Sequence, residues 1–395
     1  MSVFARTVKN NIWKLYTISA LRGFMLIMPV IVLFYKENGL SMAEVLLLQA
    51  LFSVVIVVLE IPSGYFADLI GRRISIIFGG IGGFLGYLIY AGSYGFWGFL
   101  VAEIFLAVGA SFMSGADSAL LYDSLAEIGK KDDYKKYEGR FGSISNFSEA
   151  VASIIGGALA VISLRTPLYY ESIALFLSVP LSFTLVETAR QAINISESKI
   201  KSLAKIIKFS LHEHKEIKWL IIYGGIISSA TLTMVWFIQP YFVLVGLPLV
   251  WFGLAWAALM TSSGVFSYVA HAVEDFFGRK KSLISLLILT IVAYWLLATW
   301  QAWWGIGVIF IFYFVWGISR PILLDYVNRL VPADIRATVL SVKSFVARLI
   351  FAIVGPFIGW ASDTYSLSMA FILSGLTFLV LGGISLLLLN RHKVL

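Results

Sequence analysis

Residues 64–73 read Gly64-Tyr65-Phe66-Ala67-Asp68-Leu69-Ile70-Gly71-Arg72-Arg73, and residues 275–280 read Asp275-Phe276-Phe277-Gly278-Arg279-Lys280. Both contain D-x-x-G-R-[RK], and the Asp, the Gly and the first Arg are each 207 residues apart. Each stretch directly follows a long apolar run. A short polar motif recurring at a fixed offset is the mark of an internal duplication. Gly109 with Gly317, and Asp117 with Asp325, extend the match at an offset of 208.

Outward from these loops the chain is a succession of apolar runs. Twelve are read, at 12–35, 43–66, 74–94, 97–121, 140–163, 167–186, 218–243, 250–272, 282–300, 304–328, 337–361 and 367–389. Each is near the roughly 20 residues that carry a helix across a bilayer. The runs are continuous rather than alternating, which excludes a transmembrane β-barrel. The first run is too long for a cleaved signal peptide and lacks a small-residue cleavage site. Of the 395 residues 59% are hydrophobic and 13% charged, and the mean hydropathy is +0.89. That excludes both a soluble multidomain enzyme and a disordered chain.

The net charge of +8 invites a nucleic-acid reading, but the basic residues are distributed by side. With the N-terminus placed in the cytoplasm, the outer segments keep only Lys36 and Arg165. Arg22, Arg320, Lys343 and Arg348 lie inside spans, and all other Lys and Arg residues fall on the inner side. This is the positive-inside asymmetry of a multi-pass membrane protein, and both termini are expected to be cytoplasmic. No nucleic-acid partner is needed to explain the charge. Trp295, Trp300, Trp303 and Trp304 fall at an outer span boundary, where an interfacial aromatic belt belongs.

The expected organisation is an N-terminal six-helix bundle at 1–186, a cytoplasmic linker at 187–217 and a C-terminal six-helix bundle at 218–395. The Lys-rich part of the linker is amphipathic and suits the inner membrane surface.

The stretch from Gly64 to Arg73 resembles the G-x-x-x-D-x-x-G-R-[RK] loop between helices 2 and 3 of the major facilitator superfamily. The resemblance covers essentially the whole chain. It implies an all-α membrane protein with two pseudo-symmetric bundles of six helices around a central cavity, working by alternating access. It also implies that helices 1, 4, 7 and 10 line the cavity, and that the loop latches the bundles on the cytoplasmic side. The latch residues are then Gly64, Asp68, Gly71, Arg72 and Arg73, with Asp275, Gly278, Arg279 and Lys280 in the second copy. There His271 replaces the first Gly, which suits a weaker latch. Two departures stand out. Glu103 occupies the region where many members carry an Arg in helix 4. Helix 5 keeps only the Gly156-Gly157 end of the drug–proton antiporter motif.

The physical reading of the loop is local. Gly71 permits a turn with positive φ. Asp68 is suited to a helix N-terminus, and the Arg pair to an anionic membrane surface.

Charges inside spans are costly and face protein or water. Arg22, Arg348 and Glu149 lie near mid-span and Glu103 in the outer third of its span; Glu60, Asp117, Arg320, Asp325 and Lys343 lie nearer the cytoplasmic ends. Helical spacing gathers Gly142, Asn146, Glu149, Ser153 and Gly156 on one stripe, and Ser341, Ser344, Arg348, Ala352 and Gly355 on another. Arg22, Gln49, Asn146, Trp236, Gln239, Tyr241 and Arg348 are the substrate candidates, with a helix break expected at Pro240. Glu149 and Glu103 are the proton-coupling candidates. Burial and a nearby guanidinium act in opposite directions on a carboxyl's hold on its proton, so cycling between them moves one. Asp117, Arg320 and Asp325 suit a gate. Alternatively these charges are ion pairs that orient helices.

Cys is absent and His212, His214, His271 and His392 lack metal-ligand spacing, so no metal, cofactor or catalytic residue is expected. The reading is a monomeric secondary transporter in the plasma (inner) membrane, with the lipid bilayer, a small-molecule substrate and protons as partners, and no enzyme. Export by proton antiport and proton-coupled or facilitated import both remain open. A sensor or lipid scramblase on the same fold is the reading from another class.

Overall fold

The computed structural model describes residues 3–188, 208–332 and 335–392. Among them the protein is all-helical, 88% helix with 13 helices and no strand. Most of the linker, at 189–207, lies outside the described residues; of its Lys-rich C-terminal part, residues 208–217 are described and hold a short helix at Phe209–Glu213.

In chain order the helices are α1 (Val3–Gly23), α2 (Ile31–Glu37), α3 (Met42–Leu69), α4 (Arg72–Gly92), α5 (Gly95–Met113), α6 (Ala116–Glu127) and α7 (Tyr134–Ala160). They continue with α8 (Thr166–Phe183), α9 (Lys215–Leu244), α10 (Phe252–Thr299), α11 (Ile306–Leu330), α12 (Arg336–Thr364) and α13 (Leu367–Arg391). Among the described residues, eight stretches are long and apolar enough to cross a membrane. One of them, Leu249–Thr299, has 51 residues, enough for two crossings. It is divided at Gly278, where φ is +73°. Gly71 at the matching place between α3 and α4 has φ +136°. Both motif glycines therefore hold left-handed backbone that other residues rarely adopt.

The span expected at 12–35 is not one helix. It stops at Gly23 and resumes at Ile31. Pro29 has no N–H to donate and disfavours helical backbone at Met28, which favours a break where packing gives the segment a seat. The span expected at 97–121 breaks at Ser114-Gly115, where Gly115 has φ +76°. By contrast the break expected at Pro240 is absent, and α9 is continuous through it. α3, α8, α11 and α12 likewise run through Pro62, Pro180, Pro321 and Pro356. Packed neighbours make such prolines tolerable in a membrane helix.

The chain forms two compact units. The first comprises 1–40, 51–192 and 248–257, and the second 41–50, 193–247 and 258–395. In the first, α4 and α5 touch backbone to backbone. A Cβ on Gly82 would stand 2.8 Å from Gly109 Cα, and one on Gly109 would stand 2.6 Å from Gly83 N. The glycine run of α4 thus serves packing inside the bundle, as small residues do where hydrophobicity gives no drive between membrane helices. Beyond them Arg165 donates to the carbonyls of Ala91 (2.9 Å) and Ser93 (2.8 Å) and to Asn38 Oδ1 (2.8 Å), closing the C-terminal end of α4.

In the second unit, Tyr223, Ile227, Leu283, Leu286, Val315, Ile322 and Leu323 form the core. The start of α3 belongs here because Asp363 of α12 accepts from Met42 N at 2.9 Å and Ala43 N at 2.7 Å. A carboxylate at a helix N-terminus satisfies orphan donors and meets the positive end of the helix dipole.

Candidate functional site

The site is built on the two interrupted helices of the first unit. Residues 24–30 carry irregular backbone among buried neighbours, with Leu26, Ile27, Pro29 and Val30 buried. Non-helical backbone at membrane depth is held only inside protein or against a water-filled cavity. α7 makes room for it: a Cβ on Gly156 would stand 1.8 Å from Leu26 O, and one on Gly23 would stand 2.5 Å from Ser145 O. The helix 5 glycine singled out by its motif is thus a seat for the unwound segment.

At the edges of both breaks stand the charges. Arg22, one residue before the end of α1, donates from Nη1 to Asp117 Oδ2 at 3.0 Å. The Asp117 side chain is 10% exposed and that of Arg22 34%. Asp117 Oδ1 also accepts from Ser118 N at 2.8 Å, at the start of α6. A proposed substrate residue and a proposed gate residue therefore form one ion pair.

Glu149 lies where the polar stripe of α7 passes from exposed to buried. Gly142 and Asn146 are exposed, Glu149 is half-buried, and Ser153 and Gly156 are buried. The Glu149 carboxyl faces the Trp256 indole. Trp256 is 1% exposed, and its Nε1 donor makes no hydrogen bond in the structure.

Two further carboxyls are buried in this unit. Glu103 accepts from Tyr35 Oη at 3.1 Å, and Tyr35 Oη shares a 2.8 Å hydrogen bond with Tyr90 Oη. Glu171, which sequence reasoning missed, accepts from Ile27 N in the unwound segment at 3.0 Å. The Leu26 backbone and the Tyr87 side chain lie near the same carboxyl. Its only sequence signal was an acidic residue a few positions inside an apolar run.

Further candidates belong to the second unit. Gln49 and Gln239 are buried, and Arg348 is half-buried on α12. Trp236 is buried with an unpartnered Nε1. Tyr241 shares its hydroxyl proton between the Trp300 and Ala302 carbonyls, a packing role at the C-terminal end of α9. Lys343 sits beside Gly224 of α9 and feels the charge of Arg320.

The loop residues are fixed by protein groups. Arg72 pairs with Asp123 and donates to Ala119 O at 2.8 Å, both on α6, and Arg73 donates to Phe183 O at 2.7 Å. The carboxylate at the N-terminus of α4 is that of Glu187, which accepts from Arg72 N (3.0 Å) and Arg73 N (2.9 Å). Asp68, half-buried, and Gly64, exposed, lie at the end of α3. In the second copy Arg279 stacks on the Tyr326 ring at 4.3 Å, Lys280 donates to Asn390 at 2.8 Å, and Asp275 pairs with His271 at 3.4 Å. Asp325, the counterpart of Asp117, pairs locally with Arg329 at 2.7 Å, while Arg320 is exposed.

With this geometry in hand, comparison with known proteins is informative. The sequence profile of the Major Facilitator Superfamily matches residues 15–356. An uncharacterized MFS-type transporter, MJ1560 of Methanocaldococcus jannaschii, is 21% identical over 53% of this chain and 54% of its own length. The chain thus aligns with about half the length of that relative. Quinolone resistance protein NorA of Staphylococcus aureus is 20% identical over 83% of this chain and 85% of its own. Among solved structures, the nucleoside transporter NupG superposes with a TM-score of 0.79 at 13% identity, covering 96% of this chain and 99% of that one. A bacterial homolog of the human lysosomal transporter Spinster gives 0.74 at 15% identity, covering 100% and 97%. These likenesses establish the fold. From the profile match across most of its length, the chain belongs to the Major Facilitator Superfamily, a family of multi-pass membrane transporters.

Proposed function

We propose that the protein is a proton-driven secondary transporter of a small organic solute, crossing the plasma membrane twelve times with both termini in the cytoplasm. The observation that carries the reading is the position of Glu149. It stands at the boundary between the exposed and buried parts of the α7 stripe, facing the buried Trp256 indole. A carboxyl placed there meets water on one side and a dry bundle on the other, which is the setting a coupling group requires. The Arg22–Asp117 pair beside two helix breaks supplies the charged recognition point, since interrupted membrane helices are where such transporters gather substrate and ion contacts.

The substrate class that fits carries a polar or anionic group for Arg22 and an apolar or aromatic part. Outward movement is the favoured direction, because the relative aligned over most of both chains is a quinolone resistance protein. Gly64, Asp68, Gly71, Arg72 and Arg73, with the second copy at Asp275–Lys280, serve as cytoplasmic latches. The test is flux in proteoliposomes with an imposed pH gradient across a panel of amphiphilic and anionic solutes. Proton-dependent flux by wild type, with gradient dependence lost in Glu149→Gln, supports the reading. Solute flux indifferent to the gradient, or lipid movement between leaflets without solute flux, refutes it.

A further inference from the structure

Between α4 and α8 of the first unit lies a groove of about 480 Å3, walled by Phe84, Leu88 and Gly92 on one side and by Tyr169, Ile173 and Phe176 on the other. From Phe84 to Gly92 it follows α4 for about 12 Å. The rings of Phe84 and Phe176 close one end, with centroids 5.3 Å apart. Its floor is Ala91 and Ser172, both buried. The Ser172 hydroxyl already donates to Leu168 O at 2.7 Å. A held water needs two to four polar partners, and this lining does not offer them. Left empty, the apolar walls forfeit their contacts. Hydrocarbon is the filling that suits the groove.

At the other end stands a cation. Ala91, on the groove floor, accepts from Arg165 Nη1 at 2.9 Å, so the guanidinium borders the mouth. Its other partners are Ser93 O, Asn38 Oδ1 and the rings of Tyr94 and Phe34, whose centroids lie at 4.1 and 5.0 Å. All of these are neutral. Among the described residues no carboxylate pairs with Arg165. Carbonyls satisfy a guanidinium's donors but do not cancel its charge.

The same end of the two helices is marked by exposed aromatic side chains: Tyr94 just after α4, Trp97 at the start of α5, and Tyr169 and Tyr170 at the start of α8. Amphipathic rings gather at the level of the lipid headgroups. The groove thus runs from the headgroup level, where a positive charge waits, toward the hydrocarbon. That order, charge above and apolar slot below, is complementary to a phospholipid with a negative head.

We propose that the α4–α8 groove is a binding site for an anionic phospholipid, with one acyl chain lying between Phe84 and Gly92 and the headgroup beside Arg165. Arg165 ties together the ends of α2 and α4, so a lipid seated there braces that end of the unit. The site is independent of which solute is carried and of what drives it.

The test uses the full chain in phosphatidylcholine nanodiscs. A trace of phosphatidylglycerol or of phosphatidylcholine is added, each bearing the same diazirine-labelled acyl chain, and cross-linked peptides are mapped by mass spectrometry. Expected in wild type is about fivefold more labelling of 84–92 and 169–176 from phosphatidylglycerol, the ratio that one basic residue near an anionic headgroup gives. Residues 367–378, at the start of α13, should label alike from both. A Cβ on Gly92 meets nothing within 4 Å, so Gly92→Leu fills the groove without a clash, and groove labelling should fall several-fold. Gly383→Leu on α13 also enters open space and should leave groove labelling unchanged. Arg165→Gln should bring the lipid ratio near one, and Arg165→Lys should keep it. If Arg165→Gln does not fold, the two glycine variants decide. Equal labelling of the groove by both lipids in wild type overturns the proposal. So does groove labelling that Gly92→Leu leaves unchanged, or that Gly383→Leu lowers as much. A dimer in sedimentation that Gly92→Leu splits would assign the groove to a second copy of the chain and overturn it too.

Discussion

The guanidinium of Arg22 and the carboxylate of Asp117 meet at 3.0 Å where α1 ends and α6 begins, each beside a stretch of non-helical backbone. Each group lies at a helix boundary, α1 ending at Gly23 and α6 beginning beyond Gly115, whose φ is +76°. Removing one partner strands the other in a largely buried setting. Breaking a fully buried pair costs about 3–5 kcal/mol. The 34% exposure of Arg22 reduces that to about 1–3 kcal/mol. Arg22→Ala and Asp117→Asn should each lower the thermal unfolding midpoint in detergent. The double variant should be less destabilised than the sum of the two. Solute flux should fall in Arg22→Ala even where the protein remains folded, and unaltered solute affinity there refutes direct recognition.

Packing of α4 on α5 gives a sharper contrast between two neighbouring glycines. A Cβ on Gly109 would stand 2.6 Å from a backbone nitrogen, whereas one on Gly83 would meet Leu175 methyls at 3.8 Å. Backbone cannot yield as a flexible side chain does. Gly109→Ala should therefore destabilise by about 1–3 kcal/mol. Gly83→Ala should be neutral or stabilising by a few tenths of a kcal/mol through the unfolded chain. Thermal melts of the two variants side by side check this, and equal midpoints would contradict the close backbone contact.

Glu187 caps α4 through the amides of Arg72 and Arg73. Glu187→Gln keeps an acceptor but removes the charge that favours a helix N-terminus. Its cost should be about 0.5–1 kcal/mol. The loss should shrink as salt is raised, since part of it is electrostatic. Melting curves at two ionic strengths separate this from a packing defect, which salt leaves unchanged.

The helical class and the repeat could be read directly because they depend on local facts: apolar runs of membrane length, and a motif whose glycines take positive φ in both copies. The interruptions could not be read in the same way. Pro29 breaks its helix while Pro240 does not. What differs is the surrounding packing, here the seat that Gly156 provides for Leu26. Glu171 was overlooked because its meaning depends on Ile27, 144 residues away in sequence. Asp68 drew attention by its motif, yet Glu187 in the expected linker is the group that caps α4. Arg22 and Asp117 were both visible as charges out of place, but only the fold joins them.

The last prediction concerns Glu149, because it separates coupling from translocation. In Glu149→Gln the side chain keeps its size and its place on α7 but cannot exchange a proton. If Glu149 carries the coupling proton, solute accumulation driven by a pH gradient should vanish, while exchange of labelled for unlabelled solute at equal concentrations should persist. Trp256→Phe probes the same point from the other side. Its indole is 1% exposed and faces the Glu149 carboxyl, so its replacement should cost about 1–2 kcal/mol for the space vacated. If the indole N–H is used when the Glu149 carboxyl is ionised, Trp256→Phe should shift the pH dependence of flux while leaving the maximal rate of exchange close to wild type. A variant pair in which exchange and accumulation fall together would place Glu149 and Trp256 in the translocation path itself, and coupling would then have to reside elsewhere.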